Sequence, residues 1–324
     1  MLAGCGLTPA PDATTARVED SRRLMGMPWR ITAYAASEQA GRDAIAAAFA
    51  EVGRLEAVLS DYDPASELSR LSAAAPTPRP VPVSDDLWAV LERAVVIRDA
   101  TAGGFDPTVG PLTTLWRQAR RSGRLPRPDK LAAALEAVGP ATLRLSAADR
   151  GILLTRPGMR LDLGGIGVGY AVDRALGVLS ARGIDIAMID ASGDIAVSAP
   201  PPGEDGWRIA LAALGGSGGE APVILLSHAA VTTSGDAYQA AEIDGRRYSH
   251  IVDPRTGLGV AGPAAVTVIA RDCTTADALA TAASALGPER GLEVLGAFPG
   301  ASGYFVWQDK DSRRTASSIG WPAP

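Results

Sequence analysis

Apolar side chains at Ile45, Phe49, Val52, Leu55 and Leu59 recur at spacings of three and four. That rhythm predicts an amphipathic helix with one stripe turned to a core. Residues 23–34 before it read as a strand. A second helix is predicted from Leu87 through Leu91 and Val95, ending at Gly103-Gly104. Ser84 stands at its N-cap, with Asp85 and Asp86 favoured by the positive helix end. Between the two helices, residues 61–72 form a turn-rich segment. Residues 73–82 carry four prolines, which forces an extended connection.

Further along, a short helix beyond Pro128 precedes strands at 143–145 and 152–154. A strand at 159–163 then runs into a glycine-rich loop and a helix from Tyr170 to about Arg182. Alternating patterns over much of 184–269 predict strands. A helix over 274–286 and a strand at 304–307 complete the series. The mixture lacks both an internal repeat and a regular βαβ rhythm. It predicts an α+β or mixed α/β fold.

The chain has 324 residues, 47% of them hydrophobic and 21% charged, which suits a globular protein of one large domain or two coupled lobes. A net charge of −5 argues against a nucleic-acid-binding surface. Its only cysteines are Cys5 and Cys273, and its only histidines are His228 and His250. Four-cysteine zinc sites, cysteine-ligated iron–sulfur clusters and three-histidine centres are thereby excluded. Any metal should be a hard cation held by oxygen. No apolar run of 18 residues is present, so no membrane-spanning helix is expected. Met1-Leu-Ala-Gly-Cys5 reads as a lipobox, with Cys5 as the lipid carrier. Residues 1–22 are then a lipobox-like start and disordered tether, and 23–324 the catalytic domain.

Four constellations could carry chemistry. Gly164, Gly165, Gly167 and Gly169 lie between a strand and a helix, where backbone amides can approach a phosphate. A dinucleotide fingerprint is not met, because Tyr170 stands where Gly or Ala is required; a tight connection without ligand is the alternative. Asp277 and Thr281 share one helical face and could give Mg²⁺ two ligands, or could only cap and back-bond their own helix. Thr233-Ser-Gly-Asp236 is followed by His250 and by Asp253-Pro-Arg-Thr-Gly257. The latter pair offers acid–base groups or plain turn chemistry. Residues 103–112, with Trp116 beyond them, line a cleft or fold into a self-packed turn.

Taken in order, these segments resemble the FAD:protein FMN transferases, the ApbE-type flavin transferases. The matching stretches are Met25-Gly26, Tyr62 with 66–71, Phe105-Asp-Pro-Thr-Val-Gly-Pro-Leu, the glycine-rich loop, Thr233-Ser-Gly-Asp, His250 to Gly257 and 276–281. The resemblance implies a largely antiparallel sheet with flanking helices, FAD as substrate, Mg²⁺ as cofactor, and transfer of FMN to a Ser or Thr hydroxyl with release of AMP. The acceptor would be a flavoprotein subunit of a membrane redox system, met at the bacterial cell envelope by a lipid-anchored enzyme. Asp277, Thr281 and the main-chain carbonyl of Gly165 match the metal ligands. Met25, Tyr62, Gly104, Phe105, Asp106, position 168 and the His250 turn match the FAD contacts. His250 or Asp253 is expected to take or steer the acceptor's proton. Three departures stand out: Val168 where the family carries Lys or Glu, Asp236-Ala-Tyr-Gln239 where it runs Asp-Tyr then Arg, and Ser192-Gly-Asp194 for Gly-Gly-Asp. An FAD pyrophosphatase and a non-catalytic FAD-binding lipoprotein are the alternatives.

Overall fold

The computed structural model describes residues 15–211, 222–235, 240–261, 264–309 and 312–322. Cys5, Asp236 and Gln239 lie outside these. Strands β1 (Ala16–Leu24) and β2 (Met27–Ala35) form an antiparallel hairpin. Met25 and Gly26 close it at φ of 49° and 77°, as a two-residue hairpin turn requires. The single strand expected at 23–34 is thus the second arm of a hairpin. The tether expected through residue 22 gives way to strand at Ala16. Only Val18 of β1 is buried, so this edge strand is polar and reads as a linker.

Helix α1 (Glu38–Leu59) buries the predicted stripe, capped by the Ser37 side chain. The segment expected to be all turns contains α2 (Glu67–Ala73), whose first turn is capped by Ser66 accepting from the Ser69 amide at 3.0 Å. After β3 (Val81–Pro82), α3 (Asp85–Ala100) starts at Ser84 as read. Next come α4 (Gly110–Ser122), α5 (Pro128–Leu135), β4 (Leu143–Ser146), β5 (Gly151–Leu154) and α6 (Gly167–Ala181). Residues 159–163 are not a strand. Their backbone groups bond loops instead: Asp162 donates to the Pro107 carbonyl at 2.9 Å, and Arg160 accepts from Gly110 at 3.1 Å.

The second half begins with β6 (Ile186–Ala191), β7 (Asp194–Val197), β8 (Trp207–Ala210), β9 (Val223–Leu226) and β10 (Ala229–Gly235). It continues with β11 (Ala240–Ile243), β12 (Arg246–Val252), β13 (Gly259–Ala261) and β14 (Ala264–Ala270). Helices α7 (Cys273–Leu286) and α8 (Pro288–Ala297) precede β15 (Ser302–Asp309) and β16 (Ser312–Ser317).

Eight strands form one antiparallel sheet in the order β1-β2-β6-β7-β10-β14-β15-β16. Period-two alternation sorts its side chains. Ile31, Ala33, Ala187, Ile189, Val266 and Val268 join the core with α1, α6 and α7. Ile186, Met188, Ile195 and Val231 face the other way, under the β8–β9 hairpin. A third cluster, of Leu112, Trp116, Tyr248 and Val252, fixes α4 against β12. Small residues fill α7, so that 13 of its 14 positions are buried; the exception is Thr281.

Candidate active site

A cavity of about 620 Å³ lies where the β1–β2 turn, the glycine-rich loop, α4 and β12 meet. Its size is that of a small-molecule or cofactor pocket. Met25, Tyr62, Gly104, Phe105, Asp106 and Val168 all line it. So do Gly165, Thr281 and His250. The sequence-predicted residues are therefore gathered in one place, with two exceptions. Asp277 sits one helical turn behind Thr281, and Asp253 lies off the cavity wall. Both Asp253 carboxylate oxygens are taken by the Arg255 side chain at 2.8 and 2.9 Å, and the Arg255 amide donates to it at 2.9 Å. Arg255 also donates to the Ala285 carbonyl at 2.8 Å, which moors this turn to the end of α7. These contacts hold the Asp253 carboxylate in the turn that follows His250.

The glycine-rich loop is shaped by close approach to α7. A Cβ on Gly165 would stand 2.7 Å from Thr281 Oγ1, and one on Gly169 would stand 2.4 Å from the Cys273 carbonyl oxygen. Only glycine permits that seam. The Gly169 amide donates to the Asp277 carboxylate at 3.2 Å. The amides of Ile166 and Gly167 bond the Leu163 carbonyl, and that of Gly164 bonds Asp162. Four of the loop's amides are thus already committed, and the expected amide cradle for phosphate is reduced accordingly. The open choice between phosphate loop and tight connection resolves as a tight connection that also lines the cavity.

Asp162 organises the floor. Its carboxylate accepts from the Gly164 amide at 2.8 Å, from Thr113 Oγ1 at 2.7 Å and from Arg117 at 3.2 Å. Arg117 also bonds Asp61 at 2.6 Å and lies 4.3 Å over the ring of Tyr62. Tyr62 itself is 76% exposed at the rim. Burial and the neighbouring Asp162 push the Asp61 carboxyl up. Burial does the same to Asp106, opposed by hydrogen bonds from the Thr108 hydroxyl and amide. Arg120 lines the wall with a buried Nε that has no hydrogen-bond partner, a donor suited to an anion. On the opposite wall, Trp116 Nε1 donates to the Ser249 carbonyl at 2.9 Å and so fixes the strand carrying His250.

Asp277 is a fully buried acid among other acids. Burial, then Asp194 and Asp173, raise its carboxyl well above the usual range; the Gly169 N–H acts the other way. Asp194 is itself pushed up to about 7 by burial and Asp190. Among the described residues, no cluster of three or more His, Cys, Asp and Glu side chains is placed to hold a metal. One buried carboxylate without a cationic neighbour, a hydroxyl one turn away and a closely packed glycine backbone still form an all-oxygen donor set. That set fits Mg²⁺. Ser234 Oγ stands 3.4 Å from Thr281 Oγ1, so the Thr-Ser-Gly end of β10 reaches the same point. Asp162 and Arg117 were not singled out in the sequence, whereas Asp194 and Ser234 stood in the Ser-Gly-Asp and Thr-Ser-Gly-Asp motifs without a role of their own. Asp162 does sit in a short acidic–glycine run, Asp-Leu-Gly-Gly, that could have flagged it.

The family model described as the ApbE family matches residues 25–305. A protein named FAD:protein FMN transferase from Treponema pallidum is 32% identical over 323 residues, covering 94% of this chain and 89% of its own. One of the same name from Klebsiella pneumoniae is 31% identical, covering 91% and 86%. The apo crystal structure of the flavinyl transferase ApbE of Pseudomonas stutzeri superimposes with a TM-score of 0.83 at 28% identity, covering 94% of this chain and 95% of that one. The flavin transferase ApbE of Vibrio cholerae gives the same score and identity, over 95% and 98%.

Proposed function

We propose a function from the premise that this chain belongs to the ApbE family, as its match over residues 25–305 shows. It is an FAD:protein FMN transferase. The finer reading is a Mg²⁺-dependent reaction at the cavity described above. The acceptor's Ser or Thr oxygen bonds to the phosphorus of the FMN half, the diphosphate P–O bond to the AMP half breaks, and the hydroxyl proton is lost. The observation that carries this reading is the buried, cation-poor Asp277 one helical turn behind Thr281, which meets Gly165 at the cavity wall.

Asp277, Thr281 and the Gly165 carbonyl would hold Mg²⁺, which when bound neutralises charge on the diphosphate oxygens. The chain's own residues do the rest. Arg117, held by Asp61 and Asp162, keeps positive charge beneath Tyr62, and Arg120 offers a further donor. Tyr62 presents its ring at the rim for an aromatic isoalloxazine or adenine. His250, on the wall fixed by Trp116, is the side chain assigned to receive or steer the acceptor's proton. Val168 contributes only apolar surface, so this member binds its nucleotide without a charged side chain at that position.

The acceptor is proposed to be a flavoprotein subunit of a membrane redox system. The Met1–Cys5 lipobox supports a lipid-anchored location on the bacterial cell envelope. No helix among the described residues is long and apolar enough to cross a membrane. Incubation of the full chain with FAD, Mg²⁺ and such an acceptor, with AMP, free FMN and acceptor mass followed together, tests the reading. AMP with a covalently labelled acceptor is expected. AMP with free FMN alone would mean pyrophosphatase, and FAD bound intact would mean a binding protein.

A further inference from the structure

Strand β10 is paired unequally. Its register with β14 runs from Ala230 to Gly235, but its register with β7 covers only Ala229 to Val231. The cause is the tight β6–β7 turn, where Ser192 and Gly193 at φ of 56° and 105° reverse the chain before β7 can extend further. Among the described residues, Thr232 to Gly235 therefore have a strand on one side only. In an antiparallel ladder alternate residues direct both N–H and C=O to the same neighbour. Two of these four residues accordingly offer a donor and an acceptor to the open side.

This edge adjoins the active site. Ser234 Oγ is 3.4 Å from Thr281 Oγ1. Thr232, on the same face of β10, is buried with an Oγ1 that has no hydrogen-bond partner. On the other face, a second cavity of about 280 Å³ is lined by Ser192, Gly193, Ile209, Thr233, Gly235 and Ala265. The open edge thus lies between a hydroxyl-lined face at the catalytic end and a hollow of mixed polar and apolar lining beneath the β8–β9 hairpin.

Resting on the transferase reading, we infer that the acceptor flavoprotein docks by adding an extended segment as a short strand along Thr232–Gly235. The reason is geometric. Residues directly opposite in an antiparallel pair share a face and stand roughly 4.5–5.5 Å apart at Cβ. An acceptor Ser or Thr opposite Ser234 points to Thr281, whereas its two flanking side chains turn into the hollow. Main-chain hydrogen bonds supply affinity and the hollow supplies selection, the logic of strand addition at a sheet edge. Water has no backbone to pair with this edge; a protein acceptor has.

The test uses the full chain with FAD and an acceptor subunit that the wild type labels, its target hydroxyl residue changed to Ala so that docking is read without chemistry. Hydrogen–deuterium exchange at Thr232–Gly235 is expected to slow on complex formation; a complex that leaves these amides unchanged overturns the inference. In parallel, Ile195→Trp adds bulk to the hollow from a half-buried position of β7 on that face. It should raise the acceptor KM at least tenfold, with FAD affinity unchanged. An unaltered acceptor KM also overturns the inference. Failure of the wild type to release AMP with any acceptor strikes the transferase reading instead, and is recorded separately.

Discussion

Helix α6 separates two groups of acids that are treated in opposite ways. On one side Glu51 and Asp86 meet three partners: Arg54 bonds Glu51 at 2.8 Å and Asp86 at 2.7 Å, Arg174 reaches Glu51 at 3.2 Å, and Tyr170 donates to Asp86 at 2.7 Å. The Arg54 hydrogen bond leads the effects that hold the Glu51 carboxyl down at about 2. On the other side Asp173 is spent on the amides of Cys273 and Thr274 at 2.8 Å, and Asp277 receives one N–H at 3.2 Å. No arginine acts on Asp277, and its carboxyl is driven up. Paired acids at the surface tie α1, α3 and α6 together. A buried acid deprived of a cation weakens the empty fold and is explained by what it is to bind.

Asp277→Asn breaks that contrast most severely. FMN transfer should fall by about 10²–10³, the scale of losing one electrostatic contact to the reacting group. Thermal stability without Mg²⁺ should not fall, because the amide keeps the side chain's shape at a position that disfavours a charged acid. Normal turnover in this variant would end the functional interpretation of the acid. The next effect belongs to the seam itself. Gly169→Ala puts a Cβ 2.4 Å from a backbone oxygen that cannot swing away, and should cost about 1–3 kcal/mol in denaturant unfolding while reducing transfer. Unchanged stability would mean that α6 and α7 can separate without penalty.

The smallest effect is on the paired side. Glu51 has a folded-state pKa below its unfolded one, so its contribution is present above about 4.5 and is lost as pH falls toward about 2. Glu51→Gln should lower stability at pH 7 by about 1 kcal/mol or less, flatten the acid limb of the unfolding curve, and leave transfer untouched. An equal loss at pH 2 and pH 7 would show that the network is not ionic in origin.

Much of this was legible in the residues. The stripe of α1, the Ser84 cap and the mixed architecture follow from periods and caps that act over a few positions. The cavity-lining residues could be named because their motifs stay in order along the chain. What escaped depended on distant partners. Strand β1 looks like a tether because an edge strand buries one side chain, Val18, among charges. Residues 159–163 have strand composition, but their amides and carbonyls are bound by loops. Asp194 gains its meaning from the register that brings β7 beside α7, and Asp253 is held by Arg255 two residues away. Local pattern tells which groups are present; only the sheet order tells which of them face each other.

Helix α7 is buried at every position but one, Thr281, and that has a mechanical consequence. A rod clasped on every other side cannot tilt or slide to admit a bulky guest. Whatever yields during a catalytic cycle must belong to the facing bank, where Tyr62 already projects into water and β12 hangs from the Trp116 indole.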